Sequence, residues 1–282
     1  MTETVLRERT VTAVTPIIEA KAWRISFEDV GKDPPSGAVI SEPRHVAATA
    51  QPIPVEAALA DPGTDDGSLL VIWLPTGQAA PAALERDAEL WISQCSYYRP
   101  AVRANIRTNR VVWANTRALI YAAPDGFQDT LDAVRRFTLI ARETSALEKQ
   151  MKATWPMVGK HIGLTHAVRS RQQRRQAEVN RMTEMATAMK MSYLRIQAAI
   201  EQHDPGISTA SKRLAAELVL QAGIHDRLDI LDEPIQFALD HYELANTRLT
   251  EHKGYAREMV LMGVIVFLLL VQTAVILFPA LP

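Results

Sequence analysis

From Met259 to Phe278 this chain runs 20 residues without a charged side chain, and only Gln272 and Thr273 are appreciably polar. At the usual helical rise such a stretch covers about 30 Å, the thickness of a bilayer's hydrocarbon core. A buried helix of a large soluble protein can be as apolar, but such helices favour shorter runs with polar interruptions. The stretch therefore predicts one transmembrane helix over residues 259–279, and a chain whose work is done at a membrane.

The first residues, Met1-Thr2-Glu3-Thr4-Val5-Leu6-Arg7-Glu8-Arg9, mix charges of both signs and lack the apolar core of a secretory signal. Lys253 and Arg257 precede the span and no charged side chain follows it. The positive-inside bias then places the N-terminal part in the cytoplasm, or on the matrix side of an organelle. Cys95 is the only cysteine, which excludes an internal disulfide. A formal net charge of −1 argues against a globally basic nucleic-acid binder.

Composition divides the rest into three zones. Residues 1–67 mix short apolar runs with breakers (Pro34-Pro35, Pro43, Pro52, Pro54, Pro62-Gly63), and predict strand and helix pieces over Val11–Phe27. A linker then follows from Gly31 to Gly67, with one strand near Val39-Ile40. Residues 68–152 read as an α+β domain. Leu69 to Leu74 is a continuous apolar run stopped by Pro75, as in a strand buried on both faces. Leu84 to Tyr98 has helical spacing, and three short strands follow with turns at Thr108-Asn109 and Asn115-Thr116. Asp125 and Gln128 resemble a capping box opening a helix over about 127–152. That order predicts a small mixed or antiparallel sheet covered by helices on one face.

Residues 156–258 read as a long, coiled-coil-like helical hairpin. Met182, Ala186, Met189, Tyr193, Ile196 and Ile200 step by alternating fours and threes. His203-Asp204-Pro205-Gly206 interrupts the pattern, and a second seam runs through Leu214, Leu218, Gln221, Ile224, Leu228, Leu231, Ile235, Ala238, Tyr242, Ala245 and Leu249. Pro234 predicts a kink or a helix restart in that second arm. From there one helix is expected to run without a break into the bilayer.

Two arginine clusters are candidate contact sites. Arg99, Arg103, Arg107, Arg110 and Arg117 have no acid among them, and strand periodicity puts Arg103 and Arg107 on one face. The second runs through Lys160, Arg169, Arg171, Arg174, Arg175 and Arg181, with Arg171, Arg174, Arg175 and Glu178 on one helical stripe. Guanidinium groups pair bidentately with phosphate, so the first cluster suits a phosphate-binding face and the second RNA, anionic lipid or an acidic partner helix; a solvated face is the plainer reading of each. His225 and Asp229, four apart, lack the further convergent ligands a metal site needs. No nucleophile elbow or phosphate loop is present, and Cys95 falls on the apolar face of its expected helix. No cofactor, metal or catalytic residue is expected.

The layout resembles the family named for its requirement in meiotic nuclear division, whose members join an α+β region, a helical hairpin and a single C-terminal span. Asp226-Arg227-Leu228-Asp229-Ile230-Leu231, followed by about 25 helical residues and the span, is similar to that family's Arg-Leu-rich tail. Where the family meets the membrane with Leu-Glu-Trp, this chain has Arg257-Glu258-Met259. The resemblance implies a self-associating membrane scaffold and supplies no catalytic residues. The expected function is thus a non-enzymatic, membrane-anchored scaffold or assembly protein. Its contacts would be made through seam residues Met182, Met189, Tyr193, Ile196, Leu228, Leu231 and Tyr242, a seam that equally suits the core of an intramolecular hairpin. The alternatives are an RNA- or ribosome-contacting protein using the arginines, and an accessory subunit of a membrane complex.

Overall fold

Strand β4 (Leu69–Pro75) is the centre of the first structural unit, and every one of its residues is buried. The computed structural model describes residues 19–30, 37–62, 67–76, 82–95, 100–165, 175–201 and 207–277. Six further strands complete one sheet: β1 (Lys21–Asp29), β2 (Ala38–Ile40), β3 (Val46–Ile53), β5 (Val102–Ile106), β6 (Asn109–Ala114) and β7 (Arg117–Ala122). Their order is β2-β3-β1-β4-β7-β6-β5, and only β4 and β7 pair in parallel.

A strand apolar on both faces needs a layer on each side. On one face Leu70, Ile72 and Leu74 pack with Ala58 of α1 (Val55–Ala60) and Ala88, Trp91 and Ile92 of α2 (Ala82–Ser93). On the other, the start of α3 (Phe127–His161) covers the sheet: Phe127 packs on Trp23 and Trp73, and Phe137 meets Trp113 edge-on at 4.9 Å. Trp113 Nε1 also donates to Thr138 Oγ1 at 2.9 Å. The sheet is therefore sandwiched, not covered on one face as its element order suggested. Helix α5 (Thr209–Gln221), started by Ser208 accepting from the Ser211 amide, lies against edge strand β5.

Three local expectations change. Residues 46–60, read as linker, form β3 and α1. Proline misled there: β2 pairs only with Val46 to Ala48, so the half of β3 containing Pro52 is open on one side, where a residue lacking an N–H is tolerated. The β5–β6 turn is Arg107-Thr108, one residue earlier than expected. The capping box does not form, because Gln128 donates forward to Asp132.

The second unit comprises residues 42–44, 139–203 and 223–282, and its described core is a three-helix bundle. Helix α4 (Gln176–Glu201) runs antiparallel to α6 (Ile224–Leu277), as Gln176 bonds Asn246 while Lys190 pairs with Asp232 at 2.7 Å. Helix α3 runs parallel to α6: Glu148 pairs with Arg227, Trp155 with Phe237, and His161 with Tyr242. The Arg227–Glu148 contact is a two-pronged fork, Nε–Oε1 at 2.7 Å and Nη2–Oε2 at 3.0 Å.

The hairpin is present, but α3 joins it, and its second arm does not begin at Leu214. Gly223, with φ +60, separates α5 from α6 and assigns α5 to the sheet unit. Such a left-handed position ends a helix and strains any residue with a Cβ. Of the two expectations at Pro234, a kink or a restart, the restart does not occur: α6 runs through the proline, 54 residues in all, about 80 Å. Its last part is long and apolar enough to cross a membrane.

The seam makes a direct prediction. Met189 is fully buried and Met191 is 49% exposed. Met189→Ala is expected to lower the unfolding free energy by about 2–4 kcal/mol, and Met191→Ala by less than about 0.5 kcal/mol. Chemical denaturation of the full chain in detergent measures both; equal losses would contradict the bundle.

Candidate functional site

The structure disperses the first arginine cluster. Arg117 is 2% exposed. Its Nη1 donates to the Trp91 carbonyl in the last turn of α2, and its Nη2 to the carbonyl of Asp61, the C-cap of α1, at 2.6 Å. The guanidinium also stacks over the Trp91 ring at 4.9 Å. One cation thus serves the C-termini of two helices, whose last carbonyls lack partners and whose dipoles favour positive charge. Asp61 in turn holds Arg24 in an ion pair. Arg117 is therefore a structural bolt, on neither a phosphate-binding nor a solvated face.

Arg110 is half-buried, paired with Glu89 at 3.0 Å and stacked 4.9 Å over Tyr121. Burial, with the charges of Glu85 and Glu89 adding to it and Arg110 opposing, pushes the Tyr121 hydroxyl up to about 12. Arg103 shares this face and is exposed. Arg107 does not share it: β5 ends at Ile106, and Arg107 occupies the turn with φ +55. It lines a cavity of about 300 Å³ with Asp125, Asp129 and Arg213, so acids and bases alternate there. No single-sign phosphate cradle results. In the second cluster Arg175 is exposed just before α4, while Arg171 and Arg174 lie outside the described residues.

All seven seam residues are buried: Met182, Met189, Tyr193 and Ile196 on α4, and Leu228, Leu231 and Tyr242 on α6. Their contacts are made within one chain, so the seam is bundle core and not a free docking face. Among them sits a polar knot. His161 Nδ1 is 3.1 Å from the Tyr242 hydroxyl, and its Nε2 is 3.3 Å from Glu178 of α4. His241 lies beside the Phe237 and Tyr242 rings, its Nε2 without a partner among the described residues. Burial pushes the Tyr242 hydroxyl up to about 12, with Glu178 adding to the effect. Burial lowers the pKa of His241, against a hydrogen bond to the His161 backbone that works the other way.

Cys95 lies just beyond the end of α2, half-buried, with its sulfur 4.0 Å from Thr116 Oγ1. It is neither on a helix face nor fully buried as expected. His225 and Asp229 are exposed, and no group of three potential metal ligands converges among the described residues.

What remains unspent is apolar surface on α6. Ile230, Phe237 and Leu244 stand 73%, 48% and 44% exposed at steps of seven residues. Sequence reasoning passed over them because the stronger buried seam occupies the same helix. Beyond them, the large apolar side chains from Met259 to Val271 are 44–70% exposed. Each such side chain left in water forgoes about 1.5–3 kcal/mol of burial, a deficit that lipid or a partner would remove.

No protein-family model matches this chain, and no curated protein matches it. A solved structure described as that of the full-length CmaX protein is similar at 10% identity and a TM-score of 0.34, covering 93% of this chain and 86% of that one. Neither value reaches the level at which a shared fold or function follows.

Two outcomes follow from these contacts. Arg117→Ala leaves carbonyls of α1 and α2 without their donor, and is expected to cost about 2–4 kcal/mol, with Arg103→Ala nearly neutral; equilibrium unfolding compares them. For His241, a folded pKa below the unfolded value means that the unfolded chain binds the extra proton. Its contribution to stability is therefore present above about pH 6.5 and lost as pH falls through the folded value. Thermal unfolding of the full chain should soften from about pH 7 to pH 5, and His241→Leu should flatten that slope.

Proposed function

We propose that this protein is a membrane-anchored, non-enzymatic scaffold or assembly protein, held by the apolar end of its longest helix from Met259 onward and with its folded units on the cytoplasmic or matrix side. The observation that carries the reading is the continuity of α6. The same helix is bundle core at Leu228, Ile235, Tyr242 and Leu249, and is apolar and exposed on all sides from Met259 to Val271. A helix apolar all round suits lipid, and one apolar on a single stripe suits a bundle. Lys253 and Arg257 before the apolar stretch support the orientation.

Association with itself or with partner proteins then falls to surfaces the bundle leaves open, and the stripe of Ile230, Phe237 and Leu244 is the best of these. Apolar residues at heptad spacing on an exposed helix suit another helix. The chain purified in mild detergent is expected to be an oligomer or to bring a partner protein with it, read by light scattering and identification of co-purifying chains. Ile230→Glu with Leu244→Glu should weaken that association by at least about tenfold. A monomer that brings nothing would remove the scaffold reading, and co-purifying RNA lost at high salt would favour the arginine-based alternative.

A further inference from the structure

Within the apolar stretch of α6 one polar group has no local partner. Thr273 donates its hydroxyl to the Leu269 carbonyl at 2.8 Å. Gln272 is exposed and hydrogen-bonds to none of the described residues. Its amide offers two N–H donors and a carbonyl acceptor, while the backbone groups around it are already paired along the helix. Gln272 lies 13 residues beyond Met259, about 20 Å into a core of about 30 Å. Water is scarce at that depth, and an amide left without partners there is costly.

Resting on the membrane-anchored reading above, we infer that Gln272 pairs with Gln272 of a second copy, through a parallel contact of the two spans. A primary amide is self-complementary: it donates and accepts, so a symmetric pair or ring of the same residue satisfies every member. Copies inserted in one orientation bring Gln272 to one depth without further adjustment. A partner of different sequence would need its own polar group at that level.

The surrounding residues fit the same contact. Leu261, Ile265, Leu268 and Gln272 step by four, three and four, the spacing of a left-handed helix pair. All four are exposed in the single chain. Ile230, Phe237 and Leu244 precede Gln272 by whole multiples of seven, so a left-handed supercoil carries the exposed stripe of the bundle into the same seam. Glu251 and Glu258 lie on that stripe outside the apolar stretch, where water reaches them, and Glu251 is paired with Arg248 at 3.3 Å.

The test uses the full chain, fluorescently labelled and reconstituted in phosphatidylcholine vesicles, with energy transfer followed as the protein-to-lipid ratio falls. Gln272→Leu is expected to require roughly a three- to tenfold higher ratio for half-association. Gln272→Asn should stay near the parent protein, and Thr273→Val should match it. In a Cys95→Ser background, oxidation should cross-link chains carrying Gln272→Cys or Leu268→Cys, but not Leu270→Cys on the opposite side of the helix. Association unchanged in Gln272→Leu, with equal cross-linking at 270 and 272, would overturn the inference while leaving a self-associating scaffold in place. A parent protein that stays monomeric in vesicles would overturn both. Extraction of the chain from membranes by alkaline carbonate would remove the anchor on which both rest.

Discussion

Strand β4 has no face that tolerates water, and the sheet unit is arranged around that fact. A sheet whose central strand is apolar on both sides needs two covering layers, which α1 with α2 and the first turns of α3 supply. The layer on the α1–α2 side then meets a second problem. Its helices end near each other, with unpaired carbonyls turned inward. Arg117, the first residue of the strand paired in parallel with β4, enters that space and donates to both ends. A buried cation is tolerated because it has two carbonyl acceptors and an aromatic face.

In the second unit the organising element is α6. Its apolar stripe up to Leu249 is matched from one side by α4 and from another by α3, with ion pairs at Lys190–Asp232 and Arg227–Glu148 setting the register. The polar knot of His161, Tyr242 and Glu178 sits where the three helices meet. Past Leu249, its last buried apolar residue, the helix continues through a charged stretch, Glu251 to Glu258, and becomes apolar on all sides from Met259. Within one unbroken helix, a packed bundle is thus joined to an end long and apolar enough to cross a membrane.

Much of this was legible because periodicity reports burial. The 4-3 steps from Met182 to Ile196 and from Ile224 to Leu249 named the buried faces of α4 and α6 correctly, since a helix buries what recurs every 3.5 residues. The continuous run Leu69–Leu74 named the central strand for the same reason. Less legible were features whose meaning depends on a neighbour distant in sequence. Pro52 reads as a breaker until the short reach of β2 is known. Arg107 reads as a strand residue until the two-residue turn shifts the register by one and removes it from the face of Arg103. Arg117 reads as surface charge until α1 and α2 converge on it. The seam from Leu214 to Leu249 reads as one arm because an amphipathic period does not say which partner it serves. Gly223 divides it between a sheet and a bundle.

By itself, the sequence determined the central strand, the buried stripes of α4 and α6, and the length of an apolar helix end that matches a bilayer, because these depend on local periodicity and on helix rise. Only the tertiary structure decided which charges are bolts, which are paired and which stay free. It also decided that α3 completes the bundle and that the conspicuous seam is spent inside one chain. A buried seam and a docking seam carry the same residues, and they differ only in whether another part of the chain already fills the groove.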